Sequence, residues 1–245
     1  MRRAAAYVGL QIVIGVGSLS VLLATATPSP AQPVVDYRAR VTVAGPTRLD
    51  WIYPLANQSP AEPPADWLAG YDSKAQQYEL FIPPGLNPKT PTPLVLFISP
   101  SATPAGWQQW QAVCRKNRVA FASPVGAGNE CPGPRRVRIV FDVLDDIRRR
   151  INVDPNRTYL AGFSGGARIA CRIAPAEPEL FGGVVAIGGA ENLRDEAWLR
   201  TRAIDRLSVA YVAGETDFNR AELERFREPL LREVGGRTKL WIVPK

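Results

Sequence analysis

Gly162, Ser164 and Gly166 alternate within the stretch Arg157 to Ala170, which reads Arg-Thr-Tyr-Leu-Ala-Gly-Phe-Ser-Gly-Gly-Ala-Arg-Ile-Ala. A short apolar run leads in and a helix-like run of small residues leads out, the pattern of a nucleophile elbow. In such a turn the serine sits on a strained strand-to-helix corner. The flanking glycines remove side chains that would collide, and the hydroxyl projects above the sheet. A serine hydroxyl is a useful nucleophile only when a neighbouring base takes its proton, and the usual base is an imidazole. The sequence contains no histidine. It names acyl-transfer chemistry and omits one part; the bland alternative is a tight structural turn.

A carboxylate that orients and stabilises an imidazolium belongs beyond the carboxyl end of another strand, where functional side chains of open parallel sheets collect. Asp217 follows the apolar run Leu207 to Ala213 through Gly214-Glu215-Thr216. Glu215 is the rival acid, and capping of a helix from Asn219 is the structural alternative. Acyl transfer also needs two backbone N–H donors aimed at the developing oxyanion. Gly165 is the expected first donor. The second is expected from Ser99-Pro100-Ser101-Ala102-Thr103-Pro104, and because proline has no N–H it falls to Ser101 or Ala102, with Ser101 taken as the site residue. Trp107 and Trp110 are candidates to wall a pocket for a ring-shaped group, although core packing is the commoner fate of such residues.

These residues need a frame. Asp36 to Ala44 alternates polar and apolar residues as a half-buried strand does, and Gln77 to Ile82 is a second candidate. Tyr53 to Gly70, rich in Pro, Ala and Trp, reads as an irregular excursion. From Pro93 onward continuous apolar strands at Leu94 to Ser99, Val119 to Ala122, Thr158 to Ala161, Gly183 to Ile187, Leu207 to Ala213 and Thr238 to Val243 alternate with helices. The helices are expected at Trp107 to Asn117, Val137 to Ile151, Gly165 to Ile173, Asp195 to Ala203 and Asn219 to Val234. This alternation predicts an α/β fold, a mostly parallel sheet covered by helices on both faces.

Composition narrows the function classes. With 245 residues, 46% hydrophobic and 22% charged, the chain suits one sizeable core. The formal charge of +7 is modest and scattered. Arg135, Arg136 and Arg138, and then Arg148, Arg149 and Arg150, stand beside Asp142, Asp145 and Asp146. They read as a solvated helix face, with nucleic-acid or anion binding as the lesser alternative. No metal site, no cofactor and no nucleic-acid partner is expected. Residues 1–32 carry a dibasic start, a long apolar stretch and then small residues and prolines, which reads as a secretory signal or an uncleaved membrane anchor. The expected location is therefore secreted, periplasmic or cell-envelope. Residues 33–76 then form N-terminal strands with the excursion, and 77–245 the catalytic domain. Asn57-Gln58-Ser59 matches a glycosylation sequon. Cys114, Cys131 and Cys171 allow one disulfide, Cys131 with Cys171 for preference, or three small buried hydrophobes.

From Gln77 onward the chain resembles the secreted α/β-hydrolase esterases related to polyhydroxybutyrate depolymerases and feruloyl or acetyl-xylan esterases. The points of contact are Gly162-Phe163-Ser164-Gly165-Gly166, the preceding Asn152-Val153-Asp154-Pro155-Asn156-Arg157 and the later Gly214-Glu215-Thr216-Asp217. The resemblance implies an α/β-hydrolase fold and the order serine, acid, histidine. It also implies hydrolysis of a small or polymeric carboxylic ester through an acyl-enzyme on Ser164. The family's oxyanion strand usually ends in His-Gly where Ser99-Pro100 stands here. Its histidine usually follows the last strand, so a C-terminally truncated chain is expected, nearly inactive as it stands. The alternatives are a catalytically dead binding or scaffold module of the same fold at the cell envelope, and a serine peptidase, which usually carries an additional domain.

Overall fold

The computed structural model describes residues 37–51 and 68–244. The leader expected in 1–32 and the sequon at Asn57 lie outside the described residues. No helix among the described residues is long and apolar enough to cross a membrane.

The strands are β1 (Tyr37–Thr42), β2 (Gln77–Ile82), β3 (Thr92–Ile98), β4 (Ala120–Pro124), β5 (Val153–Phe163), β6 (Gly183–Ile187), β7 (Ser208–Gly214) and β8 (Arg237–Val243). They form one sheet in the order β1-β2-β4-β3-β5-β6-β7-β8. β2 pairs antiparallel with β1 and β4, and all other pairings are parallel. The helices are α1 (Trp107–Asn117), α2 (Gly133–Arg150), α3 (Gly165–Ala176) and α4 (Ala197–Arg206). A last helical stretch follows, made of α5 (Arg220–Glu222), a π-helical turn (Leu223–Arg227) and α6 (Glu228–Glu233).

Alternation along the strands divides the core in two. Leu94, Leu96 and Ile98 of β3 pack with Val140, Leu144, Ile169 and Ile173 of α2 and α3. Val95 and Phe97 point the other way and pack with Trp107 and Cys114 of α1. The cover supplied by α1 runs out beyond β5. Phe163, Ile187, Val212 and Trp241 stand side by side across β5, β6, β7 and β8. Phe163 is 46% exposed, Trp241 44% and the neighbouring Val243 50%. One row of this sheet face, at the carboxyl ends of the strands, is thus apolar and partly open among the described residues, with the Lys239 ammonium 5.0 Å over the Trp241 ring.

The expected solvated face of α2 is corrected. Asp142, Asp145 and Asp146 are buried. Each pairs with an arginine: Arg138 to Asp142 at 2.9 Å, Arg149 to Asp145 at 2.9 Å and Arg150 to Asp146 at 2.7 Å. The segment after β1 folds over them. The N–H groups of Ala44, Thr47 and Arg48 donate to Asp146, Asp142 and Asp145 at 2.9, 2.6 and 3.0 Å. The hydroxyls of Tyr71 and Tyr78 donate to Asp142 and Asp146 at 2.9 and 2.7 Å. The acids hold the N-terminal segment to the domain, because a buried carboxylate must be paired and hydrogen-bonded. The disulfide expectation is corrected as well. All three cysteines are free: Cys114 and Cys171 are buried in separate cores, and Cys131 turns toward the Pro132 carbonyl.

Candidate active site

β5 delivers Ser164 into a turn that α3 then continues. Its backbone stands at φ 52°, ψ −120°, a strained conformation for a residue with a side chain. The glycines make that corner possible. A Cβ on Gly162 would sit 2.5 Å from Gly166 O and 2.6 Å from Ala167 N, and a Cβ on Gly166 would sit 2.8 Å from the Ile98 carbonyl carbon. Strand, turn and helix therefore pack backbone to backbone. Ser164 N–H donates to Ile187 O at 2.8 Å, which ties the turn to the end of β6. Ser164 Oγ has no hydrogen-bond partner among the described residues and is partly exposed.

Asp217 lies beyond β7, as expected. Its Oδ1 accepts the Asn219 N–H at 2.8 Å and its carbonyl accepts the Arg220 N–H at 3.0 Å, so one oxygen helps start the last helix. The other faces the loop after β6: a Cβ on Gly188 would lie 2.7 Å from Asp217 Oδ2, and one on Gly189 2.8 Å from Ser164 O. Gly188 and Gly189 thus lie between the two residues. Glu215 is exposed on the outer side of the turn, where its N–H is bound to Val243 O at 2.8 Å.

Ser164, Asp217 and the loop after β3 all lie at carboxyl ends of parallel strands. That arrangement brings a serine hydroxyl, a carboxylate and backbone N–H groups to one edge of the sheet. No known protein-family description matches the chain. A curated relative from Nocardia uniformis subsp. tsuyamanensis, named "Putative esterase NocK", is 28% identical over 170 residues, covering 66% of this chain and 45% of that protein. The chain thus spans less than half the length of that relative. Among solved structures, a ferulic acid esterase superposes with a TM-score of 0.60 at 13% identity, over 86% of this chain and 91% of that one. An S-formylglutathione hydrolase, FrmB from Staphylococcus aureus, does so with a TM-score of 0.57 at 14% identity, over 85% and 92%. The chain has the α/β-hydrolase fold.

In an α/β-hydrolase the backbone donors decide where an oxyanion can rest. Gly165 N–H stands at the N-terminus of α3, where the helix dipole favours negative charge. Ser101 N–H donates to Ser99 Oγ at 3.1 Å, and the two hydroxyls lie 2.8 Å apart. Ala102 N–H has no partner among the described residues. Its carbonyl accepts Gly126 N–H at 2.7 Å, and a Cβ on Gly128 would stand 2.6 Å from Ala102 N. Trp107 is corrected as a pocket wall: it is 7% exposed and packs on Phe81 and Phe121, ring centroids 4.4 and 5.5 Å apart. Trp110 packs at the border of the same cluster.

Sequence reasoning missed three supporting residues. Asn219 donates its side-chain amide to Gly188 O at 2.8 Å and so fixes the glycine loop against Asp217; an Asp-x-Asn pattern before a helix was its available signal. Arg168 on α3 donates to Ala190 O at 2.7 Å and to Glu222 Oε2 at 2.8 Å, which ties the elbow helix to the loop and to α5. Asn129, anchored through its N–H to Pro100 O at 2.8 Å, lays its carboxamide over Gly165. Nothing local to either residue announces that contact. No group of acids and cysteines that could hold a metal ion is present among the described residues.

Proposed function

We propose that the chain carries the catalytic domain of an exported serine-type hydrolase of carboxylic esters. The observation that carries this reading is the backbone of Ser164, held at φ 52° between glycines that no larger residue can replace without a shift. Ser164 Oγ attacks the ester carbonyl carbon and its proton passes to an imidazole. The oxyanion takes hydrogen bonds from Gly165 N–H and from Ala102 N–H, or from Ser101 N–H once it turns from Ser99. Collapse of the tetrahedral intermediate expels the alcohol, which takes the proton back, and water then releases the acid from Ser164. Asp217 Oδ2 orients the imidazole. The imidazole itself belongs to a histidine outside these 245 residues, and the open apolar row from Phe163 to Trp241 offers a seat for the polypeptide that brings it.

Without that histidine the chain retains only binding and the oxyanion donors, roughly 10³- to 10⁴-fold over water in serine hydrolases stripped of their triad. The absence of histidine favours a second reading, a binding or scaffold module of the cell envelope that performs no turnover. Sequencing past the Lys245 codon and assaying the resulting product on short-chain aryl esters, beside its Ser164→Ala variant, separates the two. An in-frame histidine with turnover lost in the variant is the expected result. A stop codon after Lys245, with no turnover in either protein, overturns the hydrolase reading.

A further inference from the structure

On the α3 side of the sheet, the 189–196 loop, α3, α4 and α6 enclose a cavity of about 200 Å³ that neither Ser164 nor Asp217 lines. Its walls include Val184, Val209, Pro175, Leu193, Leu231 and Val234. Into this apolar space faces Tyr211 of β7. The residue is 3% exposed, yet its hydroxyl has no hydrogen-bond partner among the described residues. Burial raises its pKa, so the phenol stays a neutral donor. The hydroxyl is not one of the sealed, unpaired polar atoms of the protein: it opens onto the cavity, where water or a bound acceptor completes its hydrogen bonding.

The charged residues around the cavity select the partner's sign. Arg227 is held by Glu222 at 2.6 Å and by Asn192. Glu191 faces Arg168 at 3.9 Å. Asp195 is exposed to solvent, where its charge is screened. Arg200 of α4 is partly buried and has no acidic partner among the described residues. Arg200 is the less exposed of the two lining charges without an ionic partner among the described residues; Asp195 stands in solvent, and the buried Glu228 near Tyr211 is paired with Arg232 at 3.4 Å.

We infer that this cavity is a second small-molecule site, distinct from the elbow, that takes a monocarboxylic acid with an apolar tail. The tail lies against Val184, Val209 and Leu231. The carboxylate accepts from the Tyr211 hydroxyl, and Arg200 supplies the countercharge. At roughly 30 Å³ per water-sized group the volume holds about seven such groups, so pentanoate, with five carbons and two oxygens, is a fitting probe.

Calorimetric titration of pentanoate into the full 245-residue chain tests this independently of any catalysis. One saturable site per chain is expected. Arg200→Ala weakens it about tenfold or more, as loss of a charge-assisted bond does, and Tyr211→Phe about fivefold. Ser164→Ala leaves the affinity unchanged, which separates this site from the product end of an esterase. Arg200 sits on an outer helix, so its variant decides the matter if Tyr211→Phe lowers the melting temperature. Absence of saturable heat from cooperatively folded protein overturns the inference. So does binding that survives both variants, or binding that Ser164→Ala removes.

Discussion

Replacing Gly162 by alanine tests the elbow directly. The new Cβ would stand 2.5 Å from Gly166 O, short of the 3.4 Å at which ordinary contact begins by about 0.9 Å. Both walls are backbone. Neither can rotate away, and α3 must lift from β5 as a body. Overpacking of this kind costs roughly 1–3 kcal/mol. The stiffer unfolded chain returns about 0.4–1 kcal/mol where alanine suits the native backbone, so a net loss of about 1–2 kcal/mol is expected. At about 2–4 °C per kcal/mol for a chain of this size, the melting temperature falls by roughly 2–8 °C. Gly165→Ala is the control: its Cβ also meets a neighbour, with Asn129 Cγ at 2.8 Å, but that neighbour is an exposed side chain that can swing aside. Tryptophan fluorescence during a thermal ramp reads both variants. Melting of Gly162→Ala with the wild type, or of Gly165→Ala below Gly162→Ala, would refute a backbone clash at the elbow.

Asp146→Ala strands the Tyr78 hydroxyl, the Ala44 N–H and Arg150 at once, and should cost about 3–5 kcal/mol in urea titrations, the loss expected when one member of a buried pair is removed. Burial opposes the charge of Asp145 and Asp146, but bonds from Arg48 to the first, and from Arg150 and Tyr78 to the second, outweigh it and hold both carboxyls below the ordinary aspartate range. Their stabilisation is therefore present above pH 4 and lost as the pH falls through the depressed values, which an acid unfolding curve checks against Asp146→Asn. Glu177 runs the opposite way: burial pushes its carboxyl up to about 7, so its protonated form suits the fold and stability is lost as pH rises through that value. Glu177→Gln should raise the melting temperature at pH 8 and leave it unchanged at pH 4. Maleimide should label Cys131 first, with Cys114 and Cys171, whose thiols burial pushes up to about 11, reacting only after unfolding; a mass deficit of two hydrogens that a reductant restores would contradict this.

The elements were legible because each carries its own local pattern. Gln77–Ile82, Gly183–Ile187 and Trp107–Asn117 fall where apolar runs and periodicity place them. The elbow was legible for the same reason: Gly-x-Ser-x-Gly constrains five adjacent residues. What failed depends on distant parts of the chain. Arg138 with Asp142, and Arg150 with Asp146, sit at the spacing of a solvated helix face. What buries those acids is a segment about a hundred positions earlier in the chain, whose N–H groups leave no trace in the helix. Trp107 likewise cannot be told from a pocket wall until Phe81 of β2 and Phe121 of β4 are brought under it by the strand order.

The geometry around Asp217 bears on the choice between the two functional readings. Oδ1 is committed to the Asn219 N–H, which leaves Oδ2 as the oxygen able to receive an imidazole. Such an imidazole must offer one nitrogen to Oδ2 and the other to Ser164 Oγ. Gly188 has φ 60°, which favours glycine by itself, and a Cβ there would also press within 2.7 Å of Oδ2. Gly189 has no such backbone demand, yet a Cβ would stand 2.8 Å from Ser164 O. The two glycines therefore let this loop pass closely between Asp217 Oδ2 and the backbone of the Ser164 turn, and Asn219 fixes the loop there. A scaffold module needs the strained serine, the one-sided acid and the close-packed glycine loop for nothing it does. The hydrolase reading requires all three together.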